Sequence, residues 1–326
     1  MGALDFWLRI AGFASTLNPP LVEAFLYALR DIRDRIPESE VERLIRIGDV
    51  VGAAALIMSA PTSRHAFNQF QGAIRDAVAK SAKWWGREIP VVKDGGNILR
   101  VQFDVLDART VTAVRQFEAA VLKEAGKTIE GAIIQAVEDG LSRGINPRTI
   151  ARGIRDVVGL TPTQEVWVRN FRDELIRGDA AVFERKLLDR RFASTIRKAF
   201  AGDGLTAKQI DVMVASYRKR MIAYHAETVA RTVGINAMKL GQLEIWKQSV
   251  DQGIVAEEDI ERGWRTKMDG RERETHAEMN GATTTLNGTW NVPGVGPVTY
   301  PGEKEFNCRC AQLIKLKTRR RLAEAA

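Results

Sequence analysis

The chain's two cysteines, Cys308 and Cys310, are separated by a single residue, Arg309. Upstream, in the same Gly-, Thr- and Pro-rich stretch, lie Asp269 and His276, the latter one of only three histidines. Thiolate sulfur, imidazole nitrogen and carboxylate oxygen are donors that zinc accepts in tetrahedral sites. Asp269, His276, Cys308 and Cys310 are therefore candidate metal ligands, with zinc as the candidate cofactor. Two cysteines two apart reach one ion where the backbone turns, although most structural sites space them more widely. A disulfide between them would need a strained small ring.

Two alternatives stand beside the metal. Cys308 and Cys310 could be small apolar residues facing inward from a strand, with Arg309 facing out and His276 a capping or hydrogen-bonded core residue. His276 also stands four residues before Asn280, a spacing found in metal-dependent nucleases of the His-Asn type, with Asp269 as ligand or orienting group. No Walker A, dinucleotide fingerprint, nucleophile elbow or His-Glu-x-x-His run occurs, so the expectation is a protein that is not an enzyme. His65 and His225 sit inside helical patterns and read as packing or surface residues.

The elements that must position these groups change character along the chain. Up to about Trp85 the pattern is helical, with Asn18-Pro19 predicting one helix start and Ser39 with Glu42 a capping box. "EIPVV", a "KDGGN" turn and "ILRVQFDV" predict a β-hairpin over 88–105. Helical periodicity returns at Asp107. New starts are expected at Asn146-Pro147, at Thr161-Pro162 with Gln164, and at Thr206 with Gln209. The last long helix is expected over about 209–249, with a break near Gly234. Beyond Gly253 short β-prone pieces take over. "WRTKMDG" reads as a strand entering a turn, "RETHAEMNG" as one or two helical turns, and "TTTL-NG-TWNV" as a hairpin on Asn287-Gly288.

The predicted fold is mainly α: an extended helical body with one β-hairpin, plus a small C-terminal α+β module. The expected divisions are 1–104, a helical region ending in the hairpin; 105–252, the helical body; 253–316, the module; and 317–326, a basic tail. A module of about sixty residues is near the lower limit for folding on a hydrophobic core alone, so a bound ion would help it.

Hydrophobic content of 45% against 28% charged residues describes an ordinary globular protein. The longest apolar run, Val50 to Ala60, is too short to span a bilayer. Asp5 and Arg9 interrupt the apolar N-terminal stretch, which lacks a basic n-region, so the chain is expected to stay in the cytoplasm in which it is made. Arg309, Lys315, Lys317, Arg319, Arg320 and Arg321 against Glu324 put +5 of the net +8 into the last eighteen residues. Lys315, Lys317, Arg319, Arg320 and Arg321 are thus candidate contacts for phosphates or for an acidic protein face.

The ordered set Trp264, Asp269, His276, Asn280-Gly281, Pro301-Gly302 and "NCRC", together with Arg231 in "HAETVARTVGINAMKLGQLEIW", resembles the C-terminal domain of phage Mu F-like minor head proteins, the phage head-morphogenesis family. "IIQAVEDGLSRGINPRTIARGIRDVVGLTP" is similar to that family's helical part, and the likeness covers about residues 100–315. The resemblance implies a structural protein of a tailed-phage head or a phage-like particle. Such a protein sits in the virion near the portal vertex and is assembled in the host cytoplasm. It acts in head morphogenesis and in DNA packaging or ejection. The partners implied are the portal protein, major capsid or scaffold proteins, and packaged DNA through the basic tail, with no membrane. It carries no catalytic role for Arg231, Trp264, Asn280, Gly281, Pro301 or Gly302.

Overall fold

The computed structural model describes residues 3–59, 65–94 and 97–317. Among them are ten α-helices and seven short strands, so the chain is mainly α with a small α+β module near its C-terminal end. The helices before the module are α1 (Ala3–Asp34), α2 (Glu38–Arg46), α3 (Val50–Ile57), α4 (Asn68–Trp85), α5 (Ala108–Ser142), α6 (Pro147–Val157), α7 (Pro162–Arg177), α8 (Ala193–Phe200) and α9 (Ala207–Asp251). The chain gathers into two compact units. One comprises Met1–Val22, Phe70–Ala119 and Thr228–Ala326, the other Glu23–Gln69 and Ala120–Glu227. No helix of the described residues is long and apolar enough to cross a membrane.

In the second unit the capping chemistry read from the sequence starts three helices. The Asn146 side chain accepts from the Arg148 amide at 2.9 Å and opens α6. Thr161 and Gln164 exchange both bonds of a capping box at the head of α7, and Thr206 and Gln209 do the same for α9. Each box satisfies amides that a helix start otherwise leaves without partners. The Ser39–Glu42 box does not form. Pro37 stands at the N-cap of α2, and its carbonyl takes the Glu40 and Val41 amides, so Ser39 lies inside the helix. Asp49 then caps α3, accepting from the Gly52 amide at 2.8 Å. Phe171 stacks on Tyr217 with ring centroids 4.4 Å apart in a core that also buries Val168, Leu175, Ile196 and Met213. His225 is a packing residue here, bonded through Nδ1 to the Gly159 carbonyl at 2.8 Å and edge-on to Phe25. His65 is exposed.

In the first unit packing overrides two local signals. α1 does not begin at Asn18-Pro19 but runs through Pro19 and Pro20, because Leu17 and Leu21 on either side are both buried. α9 passes Gly234 without a break. Farther along it, Gly241 faces α4 so closely that a Cβ there would lie 2.6 Å from the Val78 carbonyl oxygen. The predicted hairpin is shorter than read, with only β1 (Val92–Asp94) and β2 (Asn97–Leu99) pairing antiparallel. The missing half has another partner. Gln252 brackets the Gln102 backbone, accepting its amide at 3.0 Å and donating to its carbonyl at 2.7 Å, and Gln248 does the same for Asp104 at 2.7 and 2.8 Å. Two side-chain amides, Gln248 on the last turn of α9 and Gln252 just past its end, thus replace a strand ladder.

The module follows α9. β3 (Ile260–Arg265) is its central strand, between β4 (Thr283–Thr284) and the antiparallel β7 (Ala311–Leu316). The helical turn expected in "RETHAEMNG" is α10 (Glu274–Glu278), ended by Gly281 at φ 90°. The Asn287-Gly288 hairpin is absent. β5 (Trp290–Val292) pairs with β6 (Gly296–Val298) instead. The guanidinium of buried Arg262 explains this, since it draws the Leu286 and Gly288 carbonyls inward at 2.9 Å each and holds the intended turn as a loop.

Glu165 on α7 is a local conflict in the second unit. Its Oε2 is buried without a hydrogen-bond partner, and burial pushes the carboxyl up to about 7 against the pull of Arg218 and Arg169. A carboxyl that is easier to protonate when folded costs nothing at low pH, costs progressively more as pH rises from its ordinary value toward 7, and costs most above that. Glu165→Gln is therefore expected to leave stability near pH 4 unchanged and to raise it by about 1–3 kcal/mol at pH 8. Urea unfolding at the two pH values measures this, and an equal effect at both would refute it.

Candidate metal centre

β3 and α10 bring the first elements of the centre together. The Gly281 amide bonds to the Trp264 carbonyl at 2.9 Å, and the Trp264 amide bonds to the Ala282 carbonyl at 2.8 Å, so the chain leaving α10 returns along β3. Asn280 Oδ1 accepts the Thr266 amide at 3.0 Å. The Thr266 hydroxyl donates to the His276 carbonyl at 2.5 Å and accepts from Trp264 Nε1 at 3.2 Å. Trp264 is fully buried and meets the His276 ring edge-on, 5.5 Å between centroids. These contacts hold the imidazole in place.

The sulfur side is set by the turn before β7. Gly302 has φ 78°, and a Cβ on it would lie 2.5 Å from Cys308 Cβ and 2.8 Å from Cys308 Sγ, so only glycine lets the turn lie against the cysteine. α9 fixes that turn from below. Lys239 Nζ donates to the Pro301 carbonyl at 2.6 Å, and Asn236 Nδ2 donates to the Gly302 carbonyl at 2.9 Å. Asn307 has φ 59°, and its amide bonds to the Thr232 hydroxyl while Arg231 Nη2 donates to its side chain at 3.0 Å. The chain then passes Cys308, Arg309 and Cys310 into β7.

The result is a buried group of three donors. His276 Nδ1 lies 3.6 Å from Cys308 Sγ and 3.5 Å from Cys310 Sγ, and the three donor atoms all fall within 4.8 Å of one another. Each residue is at most 3% exposed. Zinc bonds of about 2.3 Å to sulfur and 2.0–2.1 Å to nitrogen, opened to a tetrahedral angle, separate S and N by about 3.5–3.6 Å. The observed spacings fit that ion. His276 Nε2, on the far side of the ring, is bonded to the Glu305 carboxylate, which also meets Arg273 at 3.5 Å. A carboxylate on the outer nitrogen fixes the tautomer and ring orientation of a ligating histidine.

The electrostatics favour a single thiolate on the cysteine pair. The Cys308 thiol titrates below its ordinary value, chiefly through the hydrogen bond from Cys310, with the Lys239 ammonium and His276 assisting. Cys310 is shifted upward by its bond to Cys308. The first proton therefore leaves the pair readily and the second does not. His276 is raised, first by its bond to Cys308. Lys239 is fully buried, which lowers its pKa against the opposing pull of Cys308, Cys310 and Glu305.

Asp269 is not brought to the three donors. Its exposed carboxylate is taken by the Arg309 guanidinium, through Nη1 and through Nη2 at 2.7 Å, and it titrates below the usual carboxylate range for that reason. Cys308 and Cys310 do face inward with Arg309 outward, as the apolar reading expected, but just ahead of β7 rather than within it. Every other residue of the resemblance lies in the frame: Arg231, Trp264, Asn280, Gly281, Pro301 and Gly302 each make one of the contacts above. Of the basic set, Lys315 pairs with Glu261 at 3.0 Å and Lys317 Nζ donates to the Glu258 carbonyl at 2.9 Å. Arg319, Arg320 and Arg321 lie outside the described residues.

Sequence reasoning missed Glu305, Thr266, Asn236, Lys239 and Arg262. A signal existed for Asn236 and Lys239, the two polar residues in the run "GINAMKLG", and for Glu305, three residues ahead of Cys308. Arg262 had none. It spends its guanidinium on the carbonyls of Leu286, Gly288 and Thr299 and on Gln312 Oε1, over the Trp290 ring at 4.6 Å, and burial lowers it to about 10. Comparisons with protein-family models, curated proteins and solved structures return no match for this chain.

Arg262→Met strands three carbonyls, so it is expected to destabilise the module by at least about 2 kcal/mol. Amide exchange should quicken in β5 and β6 while α7 stays protected. Uniform loss of protection in both units, or none in the module, would contradict this role.

Proposed function

We propose that this chain is a structural minor head protein of a tailed phage or phage-like particle, associated with the portal vertex and acting in head morphogenesis, with DNA packaging or ejection as the connected processes. One observation supports the reading above others. Of the residues that carry the family resemblance, Arg231, Trp264, Asn280, Gly281, Pro301 and Gly302 are load points of one small module, tied to each other and to α9, and the donors His276, Cys308 and Cys310 that converge lie inside that frame. That is the pattern of a scaffold. The partners proposed are the portal protein and major capsid or scaffold proteins. Packaged DNA is proposed to meet Arg319–Arg321, where each neutralised phosphate adds salt-sensitive affinity. The working place is the virion head, reached from the host cytoplasm.

Within this reading zinc is the staple of the module, held by His276, Cys308 and Cys310 with Glu305 behind the imidazole. A bound ion supplies folding free energy that so small a core lacks. The alternative, a metal-dependent nuclease working through Asp269 and His276, asks two residues to act together whose side chains are engaged apart, Asp269 with Arg309 and His276 with Glu305 and the thiols. It is therefore the weaker reading, and the chain is proposed not to be an enzyme.

Purified chain is expected to bind portal oligomers, and particles assembled without it should be deficient in number, DNA content or infectivity. Normal particles would overturn the assignment. Cleavage of DNA with divalent metal, lost in an Asp269→Ala, His276→Ala double variant, would favour the nuclease. Elemental analysis of freshly prepared protein should give close to one zinc per chain. Cys308→Ser should lower the stability of the module, and Glu305→Gln should weaken zinc affinity by about 10–100-fold. Metal-free protein of unchanged stability would remove the staple.

A further inference from the structure

We propose that the metal position on His276, Cys308 and Cys310 keeps its fourth coordination place open to solvent and that this place takes an anionic oxygen ligand, a phosphate or a carboxylate. The inference rests on the zinc reading and goes beyond it, because a stapling ion needs only a closed set of ligands. Structural zinc sites carry four protein donors, whereas sites with three protein donors keep a position for water or an incoming ligand. The described residues supply three. Thr266, whose hydroxyl lies 3.6 Å from Cys310 Sγ, already donates to the His276 carbonyl and accepts from Trp264. Asp269 is held by Arg309.

The three donors are buried as residues yet line a cleft of about 220 Å³. The rest of that cleft is polar and mostly cationic: Lys267, Arg271, Arg273 and Arg309, with Asn307 and a single carboxylate, Glu272. Glu272 cannot serve freely as the missing donor, since its Oε2 accepts the backbone amides of Asp269 at 3.1 Å and of Arg271 at 3.0 Å. Zinc with two thiolates and a neutral imidazole carries no net charge, so the ligands themselves consume none of the cleft's cations. Arg309 and Lys267 pair with Asp269 and Arg273 meets Glu305. This leaves Arg271 as the cleft guanidinium with no ion pair among the described residues, and an anion entering there meets it beside a metal with a free position, a charge-assisted contact that oxyanions favour. Apolar ligands find no such surface.

Cobalt(II) tests this in the full-length chain. Protein stripped of metal under reducing conditions is reloaded with Co²⁺ alone. The thiolate-to-cobalt charge-transfer band then reports the cysteines, and the visible ligand-field bands report the fourth place. Inorganic phosphate and acetate, titrated separately, distinguish the two oxygen sources. Saturable change of the ligand-field bands with the charge-transfer band retained is the expected result for at least one of them. A Lys267→Ala, Arg271→Ala variant should keep the charge-transfer band and weaken the half-saturating anion concentration by about fivefold. Ligand-field bands that neither anion moves would overturn the open position while leaving the staple intact. So would an Asp269→Asn variant whose spectrum already differs before any anion is added, because Asp269 would then be the fourth ligand. Absence of the charge-transfer band would overturn the zinc reading and this inference together.

Discussion

The buried Lys239 ammonium holds the turn that carries the sulfur donors. It is fully buried on α9, donating to the Pro301 carbonyl at 2.6 Å and reaching Asn236 Oδ1 at 3.4 Å. A charge so placed costs several kcal/mol unless the surroundings answer it. The answer comes from the turn it holds. Pro301-Gly302 sets the path on which Glu305, Cys308 and Cys310 follow, and the field of that segment opposes the burial penalty on Lys239. The ammonium positions the chain that neutralises it. Remove it, and the Pro301 carbonyl loses its partner at the point where Gly302 packs on Cys308.

The same economy runs through the module. Its apolar cluster is small, Trp264 and Trp290 with Val292, Val298 and the two cysteines. Trp264 meets Trp290 edge-on at 5.7 Å, a geometry favoured by aromatic quadrupoles. Where a larger domain would add aliphatic layers, this one places the Arg262 guanidinium, a spoke reaching several loop carbonyls. Fixed polar spokes of this kind favour one arrangement of the loops, because others leave these carbonyls without their donor, although Arg262 Nε is itself buried without a partner.

Legibility in the sequence followed the range of the interaction. Asn146, Thr161 with Gln164, and Thr206 with Gln209 act within three residues, and their helix starts could be read directly. Ser39 and Pro19 failed because neighbours or tertiary packing outbid a local signal: Pro37 took the N-cap, and buried Leu17 and Leu21 carried α1 through its prolines. The second half of the 88–105 hairpin and the Asn287-Gly288 turn failed for a longer-range reason. Both were captured by side chains distant in sequence, Gln248 and Gln252 in one case and Arg262 in the other, and no local pattern announces such a partner. At the centre, residue type sufficed for His276, Cys308 and Cys310. Asp269 had the right chemistry but a nearer claimant in Arg309.

That last pair also bears on both readings of Cys-x-Cys. In extended backbone, residues two apart share a face and the residue between them points away. Cys308 and Cys310 therefore turn inward together, and Arg309 is sent outward to Asp269. The inward alternation that would bury two small apolar residues and the convergence that would bind a metal are one geometry. The third donor is an imidazole nitrogen whose ring is braced from behind by Glu305. A carboxylate in that place is the common companion of a ligating histidine, and it serves a hydrogen-bonded core histidine as well, so one geometry accommodates both readings.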